Sequence, residues 1–172
     1  LNAIFTAPHG IPAAGEVVFD TDAALPADER DRLAAAGAPY ALRLRCRAAL
    51  ARTGPLTWHD RVAGSQNVRA EMIGDVVLAR KDSPTSYHLA VTVDDAAQGV
   101  TLVTRGRDLF AASHVHRLLQ ALLDLPVPEY HHHRLITDSA GRRFAKRDQA
   151  VTLAALRAEG HSPQDLREMV GL

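Results

Sequence analysis

The sequence has little of the material from which disulfides, structural zinc sites and membrane spans are built. Its single cysteine, Cys46, can form no internal disulfide and leaves no Cys-x-x-Cys pair for structural zinc. Its longest apolar stretches, such as residues 118–125, are interrupted by polar residues and are too short to cross a bilayer. The first residues do not have the pattern of a signal peptide, and none is expected. These absences predict a soluble, cytoplasmic protein with no membrane partner.

An excess of charge of either sign is also missing. The 172 residues contain 20 acidic and 20 basic side chains, so no overall basic field indicates a nucleic-acid-binding protein, and any polyanion site must be local. Lysine is scarce, with only Lys81 and Lys146 among the basic residues. The chain is 47% hydrophobic, which is enough for one compact domain with a core. It begins with Leu1 rather than methionine, and we therefore expect an N-terminal portion to be missing.

The hydrophobic pattern predicts an α/β fold. Residues 1–38 form an irregular lead-in that is helical only over 26–36. Strands are predicted over residues 40–47, 56–62, 75–80, 87–93, 100–104 and 130–137. Helices are predicted over residues 108–123, 152–159 and 163–170. Strands alternating with helices place ligands at strand ends.

Two further expectations concern the first predicted strand, residues 40–47. Alternation places its arginines on one face, which is either an ordinary wet sheet face or a phosphate-binding one. We prefer the wet face. Cys46 is expected to be a core or sheet residue.

The loop over residues 142–147 concentrates positive charge. Arg142, Arg143, Lys146 and Arg147 follow a glycine turn at the end of a predicted strand, just ahead of a helix. Such a cluster can hold a polyphosphate or stabilise the charge that develops as pyrophosphate leaves. The simpler interpretation is a solvated basic turn.

Three ordered motifs over residues 75–148 resemble one family. Gly-Arg-Arg-Phe-Ala-Lys-Arg-Asp at 141–148 resembles the Lys-Met-Ser-Lys-Ser signature loop of class I aminoacyl-tRNA synthetases, in the form of the glutamate subgroup. The stretches 87–95 (Tyr-His-Leu-Ala-Val-Thr-Val-Asp-Asp) and 99–109 resemble the part of that subgroup that recognises glutamate. The resemblance implies a Rossmann-like class I catalytic domain, of which residues 39–172 are the later half with short C-terminal helices.

The resemblance also implies residues that bind glutamate. Tyr87 and Arg105 fall where the family places its amino-acid-binding tyrosine and arginine. A guanidinium fork suits the glutamate carboxylate better than an ammonium would, and the Tyr87 hydroxyl could donate to the same ligand. From sequence alone, Tyr87 is equally an aromatic residue at a strand start, and Arg105 a surface arginine at a strand end.

A second set is implied for ATP, which the family uses with Mg²⁺. Lys146 matches the second lysine of the signature and is the expected catalytic residue, because it would contact the ATP phosphates and the transition state of adenylate formation. Arg143 stands for the first lysine. Leu135 and Ile136 match backbone positions that hold adenine, although as side chains they are more simply core residues.

The sequence departs from the family pattern at several points. Ala145 replaces the serine of the signature loop, so that a hydroxyl is lost. The zinc-binding cysteines of the family are absent, and zinc is not expected. The other nucleotide signature, His-Ile-Gly-His, does not occur, and we expect these residues alone to be inactive.

The chain reaches its last residue two predicted helices after the signature loop, where full glutamyl-tRNA synthetases continue into an anticodon-binding region. It therefore resembles the short members of the family, which attach glutamate to the queuosine base of tRNA(Asp). The expected partners are glutamate, ATP and a tRNA, tRNA(Asp) by this resemblance. Two alternatives stay open: a fragment of a discriminating glutamyl-tRNA synthetase, or a non-catalytic tRNA-binding module that kept the fold.

The nine histidines raise the possibility of a metal site. Consecutive strand residues point to opposite faces, so that within residues 131–133 only His131 and His133 could share a metal. His114 and His116 diverge on a helix. Surface or strand histidines are the better interpretation, and no metal is expected.

Overall fold

The computed structural model describes residues 26–80, 84–137 and 152–171. The chain divides into two compact units, Leu1–His133 and Arg134–Leu172. The signature-like loop at 141–148 lies outside the described residues.

The described part of the first unit alternates helices and strands. Its elements are α1 (Ala27–Ala35), β1 (Ala41–Leu44), α2 (Cys46–Thr53), β2 (Thr57–Asp60), β3 (Gly64–Asn67), β4 (Val76–Arg80), α3 (Tyr87–Ala97), β5 (Leu102–Gly106), α4 (Ala112–Leu122) and β6 (Glu129–His133). Short 3₁₀ turns occupy Ala70–Met72 and Arg107–Leu109.

The strands form two sheets. Strands β1 and β4 pair antiparallel, and the larger sheet has the order β3-β2-β6-β5. In the larger sheet β2, β6 and β5 are parallel, and β3 is an antiparallel partner of β2 at the edge. Helix α4 joins β5 to β6, so that these elements form a βαβ unit with its strand ends on one edge.

Helix α4 is the centre of the core. Val115, Leu118 and Leu119 on this helix pack with residues of α2, the 3₁₀ turn and β4, and all three are buried. A second cluster forms around Trp58 and Tyr130 on the larger sheet. The leucine and valine spacing that predicted a helix over 108–123 is confirmed by α4, which starts later because a 3₁₀ turn precedes it.

The prediction of a strand over residues 87–93 is wrong, because this segment is the first part of helix α3. The β-branched residues suggested a strand, but Ser86 caps the helix by accepting a hydrogen bond from the Leu89 backbone N–H. His88 and Thr92, one helical turn apart, are both buried. Burial of one helical face therefore overrode the strand propensity of the individual residues.

The predicted strand over residues 40–47 is correct only for its first half. Strand β1 ends at Leu44, and Cys46 begins helix α2. The Asp75 carboxylate, distant in sequence, accepts the Cys46 backbone N–H at 3.2 Å and so caps the new helix. The expected row of arginines on one strand face is therefore wrong, since only Arg43 lies in the strand. Cys46 is a core residue, as expected.

The remaining strand predictions hold with changed bounds. Strands β2 and β4 lie inside the predicted ranges 56–62 and 75–80, and β5 overlaps the predicted range 100–104 but ends two residues later. Strand β6 ends at His133, so that the expected extension to residue 137 is too long. The short strand β3 was not predicted, because its sequence Gly-Ser-Gln-Asn has no strand propensity and forms only as the partner of β2.

The second unit contains two short helices among its described residues, α5 (Leu153–Ala158) and α6 (Pro163–Met169). Ser162 and Asp165 form a capping box at the start of α6, with Pro163 at its first position. The helices predicted over residues 152–159 and 163–170 are confirmed with slightly shorter bounds. The helix predicted within 26–36 is likewise confirmed by α1. None of the helices in the described residues has the length and apolarity that crossing a membrane would need.

Candidate functional site

The carboxyl ends of three neighbouring parallel strands carry three polar side chains. Asp60 is the last residue of β2, His132 the penultimate residue of β6, and Arg105 the penultimate residue of β5. Arg105 and His132 are partners in the sheet register. The carboxyl edge of a parallel sheet is where α/β proteins bind ligands, because loops and helix starts converge there.

Asp60 is fully buried, and its carboxylate is saturated with hydrogen bonds. Its Oδ1 accepts the backbone N–H groups of Val62 and Ala63 at 2.9 and 2.7 Å. Its Oδ2 accepts the backbone N–H of His132 at 3.2 Å and faces the Nδ1 of that residue at 2.6 Å. Burial alone would raise the pKa of Asp60, but these hydrogen bonds outweigh it and lower the pKa, so that the carboxylate is ionised.

The position of His132 between Asp60 and Arg105 fixes its tautomer. An ionised carboxylate can only accept, so the proton of the imidazole is on Nδ1. The other nitrogen, Nε2, is then an acceptor, and Arg105 Nε donates to it at 3.0 Å. Burial lowers the pKa of His132 by more than the hydrogen bond to Asp60 raises it, which keeps the ring neutral.

The Arg105 guanidinium is held on three sides. Besides the bond to His132, its NH2 group donates to Ser113 Oγ at 2.6 Å, and NH1 lies 3.3 Å from His116 Nδ1. Its central carbon lies 5.2 Å from the centre of the Tyr130 ring, a cation–π distance. The residue is 9% exposed, and burial lowers the pKa of its guanidinium, although an arginine stays charged in proteins.

A second histidine pair continues the network to helix α3. Because His116 Nδ1 accepts from Arg105, its proton is on Nε2, which lies 3.1 Å from His88 Nδ1. Burial and the Arg105 charge lower the pKa of His116 to about 2, and the same two causes lower that of His88. Both rings are therefore neutral at pH 7.

Tyr87 stands at the open side of this network. It is the first residue of α3 and is 54% exposed, with its ring 6.0 Å from that of His116 between centroids. Its phenol lies close enough to the Arg105 guanidinium to raise the pKa of that group. The first turn of α3 and the end of β5 thus bring an exposed phenol and a buried cation together.

The electrostatics of the site favour an anion. In the described residues, the hydrogen bonds of Arg105 go to two imidazole nitrogens and one hydroxyl, which are uncharged. The Asp95 carboxyl is near enough to raise the pKa of Arg105, but burial raises the pKa of Asp95 itself. A guanidinium that is 9% exposed attracts a carboxylate more strongly than one in water does.

The structure brings together the two residues that the sequence assigned to glutamate. They are close enough for the Tyr87 phenol to raise the pKa of the Arg105 guanidinium, and they stand at a helix start and a strand end rather than on two strands. The expectation of a strand-end surface arginine is wrong, because Arg105 is buried by its neighbours.

The residues assigned to ATP belong to the second unit. Lys146 and Arg143 lie outside the described residues. The sequence predicted that Leu135 and Ile136 lie on the strand over residues 130–137. In the structure they follow β6, which ends at His133. Ile136 is 40% exposed, so the alternative interpretation of its side chain as core is also wrong.

The histidines have a different role from the one that sequence alone suggests. His132 is buried and His131 and His133 lie on the other face of β6, as the alternation predicted. His114 and His116 are buried instead of lying at the surface. Within 26–80, 84–137 and 152–171, no group of three His, Cys, Asp or Glu side chains is placed to hold a metal ion.

Sequence reasoning missed five members of the network: Asp60, His88, Ser113, His116 and His132. One weak signal was present, since Asp60 lies near the end of the strand predicted over residues 56–62, and polar residues at strand ends often serve a site. The other four are polar residues inside a helix or strand that a sequence pattern assigns to solvent. Only the pairing of β5 with β6 and the packing of α3 on α4 show that they face each other.

Comparison with known proteins yields a family match over most of the chain. The model described as tRNA synthetases class I (E and Q), catalytic domain, matches residues 19–172. The Glutamyl-Q tRNA(Asp) synthetase of Rhodobacter capsulatus is 58% identical over 122 residues, which are 70% of this chain and 43% of that protein. Glutamate-tRNA ligase 2 of Alkalilimnicola ehrlichii is 38% identical over 144 residues, which are 84% of this chain and 29% of that protein.

A solved structure gives the same result. The glutamate-tRNA synthetase of Elizabethkingia anophelis superposes with a TM-score of 0.58 at 25% identity, over 77% of this chain and 28% of that one. The chain spans less than half the length of each of these relatives.

Proposed function

The chain belongs to the class I tRNA synthetases for glutamate and glutamine, and we propose that the protein containing it activates glutamate with ATP and transfers it to tRNA. One observation carries the proposal. Arg105, a buried cation whose described hydrogen bonds go to uncharged groups, lies beside the exposed Tyr87 at the carboxyl edge of the sheet. The family resemblance assigns glutamate to these same two residues.

In this proposal Arg105 binds a carboxylate of glutamate. The guanidinium has five N–H donors, and His132, His116 and Ser113 occupy three of them. The other two are available to the Tyr87 hydroxyl and to a ligand. Because neutral groups fix the guanidinium, its charge remains for the substrate. Tyr87, on the exposed side, contributes a hydroxyl to the same ligand.

The reaction proceeds in two steps. The α-carboxylate of glutamate attacks the α-phosphorus of ATP, which gives glutamyl adenylate and releases pyrophosphate. An acceptor group of the RNA then attacks the acyl carbon and releases AMP. We propose that Lys146 and Arg143 stabilise the phosphate charge in the first step, with Mg²⁺ bound to ATP, and that the backbone at Leu135 and Ile136 contacts adenine.

The proposed acceptor is the queuosine base of tRNA(Asp). The support is similarity: identity is 58% to a relative named for that reaction and 38% to a glutamate-tRNA ligase. Transfer to tRNA(Glu) is the competing possibility. We further propose that these 172 residues alone do not complete the reaction, because they contain no His-Ile-Gly-His element.

Glutamate-dependent exchange of pyrophosphate into ATP tests the first step. The complete natural protein is expected to catalyse exchange, and Lys146→Ala is expected to lose roughly 100-fold or more of it. The matched control is Lys81→Ala, which removes the other lysine of the chain. Exchange by Lys146→Ala equal to that of the wild type would reject the catalytic role of Lys146, and absence of exchange in the wild type would reject the proposed function.

Charging assays test the acceptor. Purified tRNA(Asp) with queuosine, tRNA(Asp) without it and tRNA(Glu) are each incubated with labelled glutamate, ATP and the protein. We expect label only on queuosine-containing tRNA(Asp). Label on tRNA(Glu) alone would assign the protein to the other acceptor.

A further inference from the structure

Asp60 is the most buried charged group of the site, and neither glutamate binding nor ATP binding in the proposed function assigns it a role. It lies two hydrogen bonds from the guanidinium of Arg105, with His132 between them at 2.6 Å on one side and 3.0 Å on the other. Within the part of the chain that the structure describes, its hydrogen bonds go to His132 and to the backbone N–H groups of Val62 and Ala63. Its role must therefore be exerted through His132.

Resting on the proposed function, we propose that Asp60 is a positioning residue that holds His132 in the Nδ1–H tautomer and thereby fixes Arg105 for glutamate. An acceptor at His132 Nε2 is required, because Arg105 Nε has one hydrogen, which points at it. With the proton on Nε2, two N–H groups would face each other across 3.0 Å. The guanidinium would then turn away from its present orientation.

Ser113 makes the arrangement more specific. Its Oγ accepts from Arg105 NH2 at 2.6 Å and lies 3.3 Å from His132 Nε2, so its own hydrogen is directed to that nitrogen. Ser113 and Arg105 thus both donate to the same lone pair. A proton on His132 Nε2 would therefore disrupt the hydrogen bonds from both Arg105 and Ser113.

The substitution Asp60→Asn changes the tautomer with little change in shape. Oδ1 can still accept from the backbone N–H groups of Val62 and Ala63, which places the amide nitrogen where Oδ2 now faces His132. That nitrogen can only donate, so the imidazole must accept at Nδ1 and carry its proton on Nε2. The variant also loses the hydrogen bond that Oδ2 accepts from the His132 backbone N–H, so the tautomer measurement is needed beside the kinetics. The matched control is Asp75→Asn, because Asp75 also accepts a backbone N–H, from Cys46, but away from the site.

The experiment measures steady-state exchange and histidine tautomers on the complete protein. For Asp60→Asn we expect the KM for glutamate to rise roughly 10- to 100-fold, the magnitude typical of residues that orient a binding group, with the KM for ATP unchanged. Nitrogen-15 NMR is expected to show the His132 proton on Nδ1 in the wild type and on Nε2 in the variant. Asp75→Asn should change neither quantity.

Three results would overturn the proposal: a folded Asp60→Asn protein with the wild-type KM for glutamate, a raised KM with the His132 proton still on Nδ1, or a wild-type proton on Nε2. The last is readable even if the wild type shows no exchange, which is the result that rejects the proposed function instead.

If Asp60→Asn does not fold, two substitutions of His132 decide. His132→Gln can place an acceptor where Nε2 now meets Arg105, whereas His132→Asn reaches only toward Asp60. The glutamine variant is expected to have the lower KM for glutamate. Equal KM values for the two variants would overturn the proposal.

Discussion

The two faces of helix α4 bury very different chemistry. One face carries Val115, Leu118 and Leu119 into an apolar cluster. The other carries Ser113 and His116 into the network around Arg105. Apolar burial stabilises the fold without directional demands, while each buried polar group needs a partner in the right place. The apolar face therefore stabilises the fold, and the polar face positions the Arg105 cation for a ligand.

Among the substitutions that distinguish the two faces of α4, Leu118→Ala is expected to have the largest effect, and the effect is on stability. The residue is fully buried in the apolar cluster, and its truncation should cost about 2 to 5 kcal/mol of the free energy of unfolding. The KM for glutamate should stay unchanged in the folded protein. Chemical denaturation provides the measurement, and Leu122→Ala on the exposed side of α4 is the control, with an expected loss below about 1 kcal/mol. Equal losses would remove the distinction between the faces.

Arg105→Lys should instead lower the catalytic efficiency with glutamate. An ammonium cannot replace the three-sided guanidinium contacts, so kcat/KM for glutamate should fall about 100-fold, or about 3 kcal/mol. Steady-state pyrophosphate exchange gives this value. Arg61→Lys is the control, because Arg61 pairs with Glu129 on the surface, away from the network. A fall of similar size in the control would show that Arg105 has no special role.

Acid should weaken the polar face. Burial lowers the pKa of His88, His114, His116 and His132 below 6.5 in the folded protein. Below that pH the unfolded chain takes up protons that the folded chain refuses, so stability is full above pH 6.5 and falls as pH decreases. The loss is roughly 1 kcal/mol per pH unit for each ring that stays neutral.

The low native pKa values of Asp60 and Glu29 add losses only below their ordinary values of 3.8 and 4.5, and the raised pKa of Asp95 favours the folded state as pH falls, so a loss of stability between 4.5 and 6.5 reports on the histidines. Urea unfolding at a series of pH values measures the slope, which His116→Asn should reduce. Stability independent of pH across this interval would contradict the neutral network.

The smallest effect is expected from Tyr87→Phe. The ring is half-exposed, so stability should hardly change. Loss of the hydroxyl removes the hydrogen bond that Tyr87 is proposed to make to the ligand, which should raise the KM for glutamate by roughly fivefold, or about 1 kcal/mol. Tyr40→Phe, on another exposed tyrosine, should leave the KM unchanged. A KM for Tyr87→Phe equal to the wild type would remove Tyr87 from the binding site.

The sequence could predict the apolar face better than the polar one. Leucines at helical spacing indicate α4 without any knowledge of the rest of the fold. The segment at 87–93 misled because three successive β-branched residues favour a strand, whereas a serine cap and distant packing produced α3. Local propensity cannot register contacts made across the chain.

The residues of the site also divide into those that the sequence predicts and those that it does not. Tyr87 and Arg105 were predicted through resemblance, and in the structure they are close enough for the phenol to raise the pKa of the guanidinium. Asp60 and His132 are 72 positions apart, and their hydrogen bond depends on strand pairing that no local pattern encodes. The neutral imidazoles that surround Arg105 are a property of burial, which the sequence does not display.

A crystal structure of the complete protein with bound glutamate tests most directly whether Arg105 binds a carboxylate of the substrate. Arg105 should keep its bonds to His132, His116 and Ser113 and should donate to a glutamate carboxylate at about 2.7 to 2.9 Å, with the Tyr87 hydroxyl in contact with the same ligand. Glutamate bound elsewhere, with Arg105 bonded only to its present neighbours, would contradict the account.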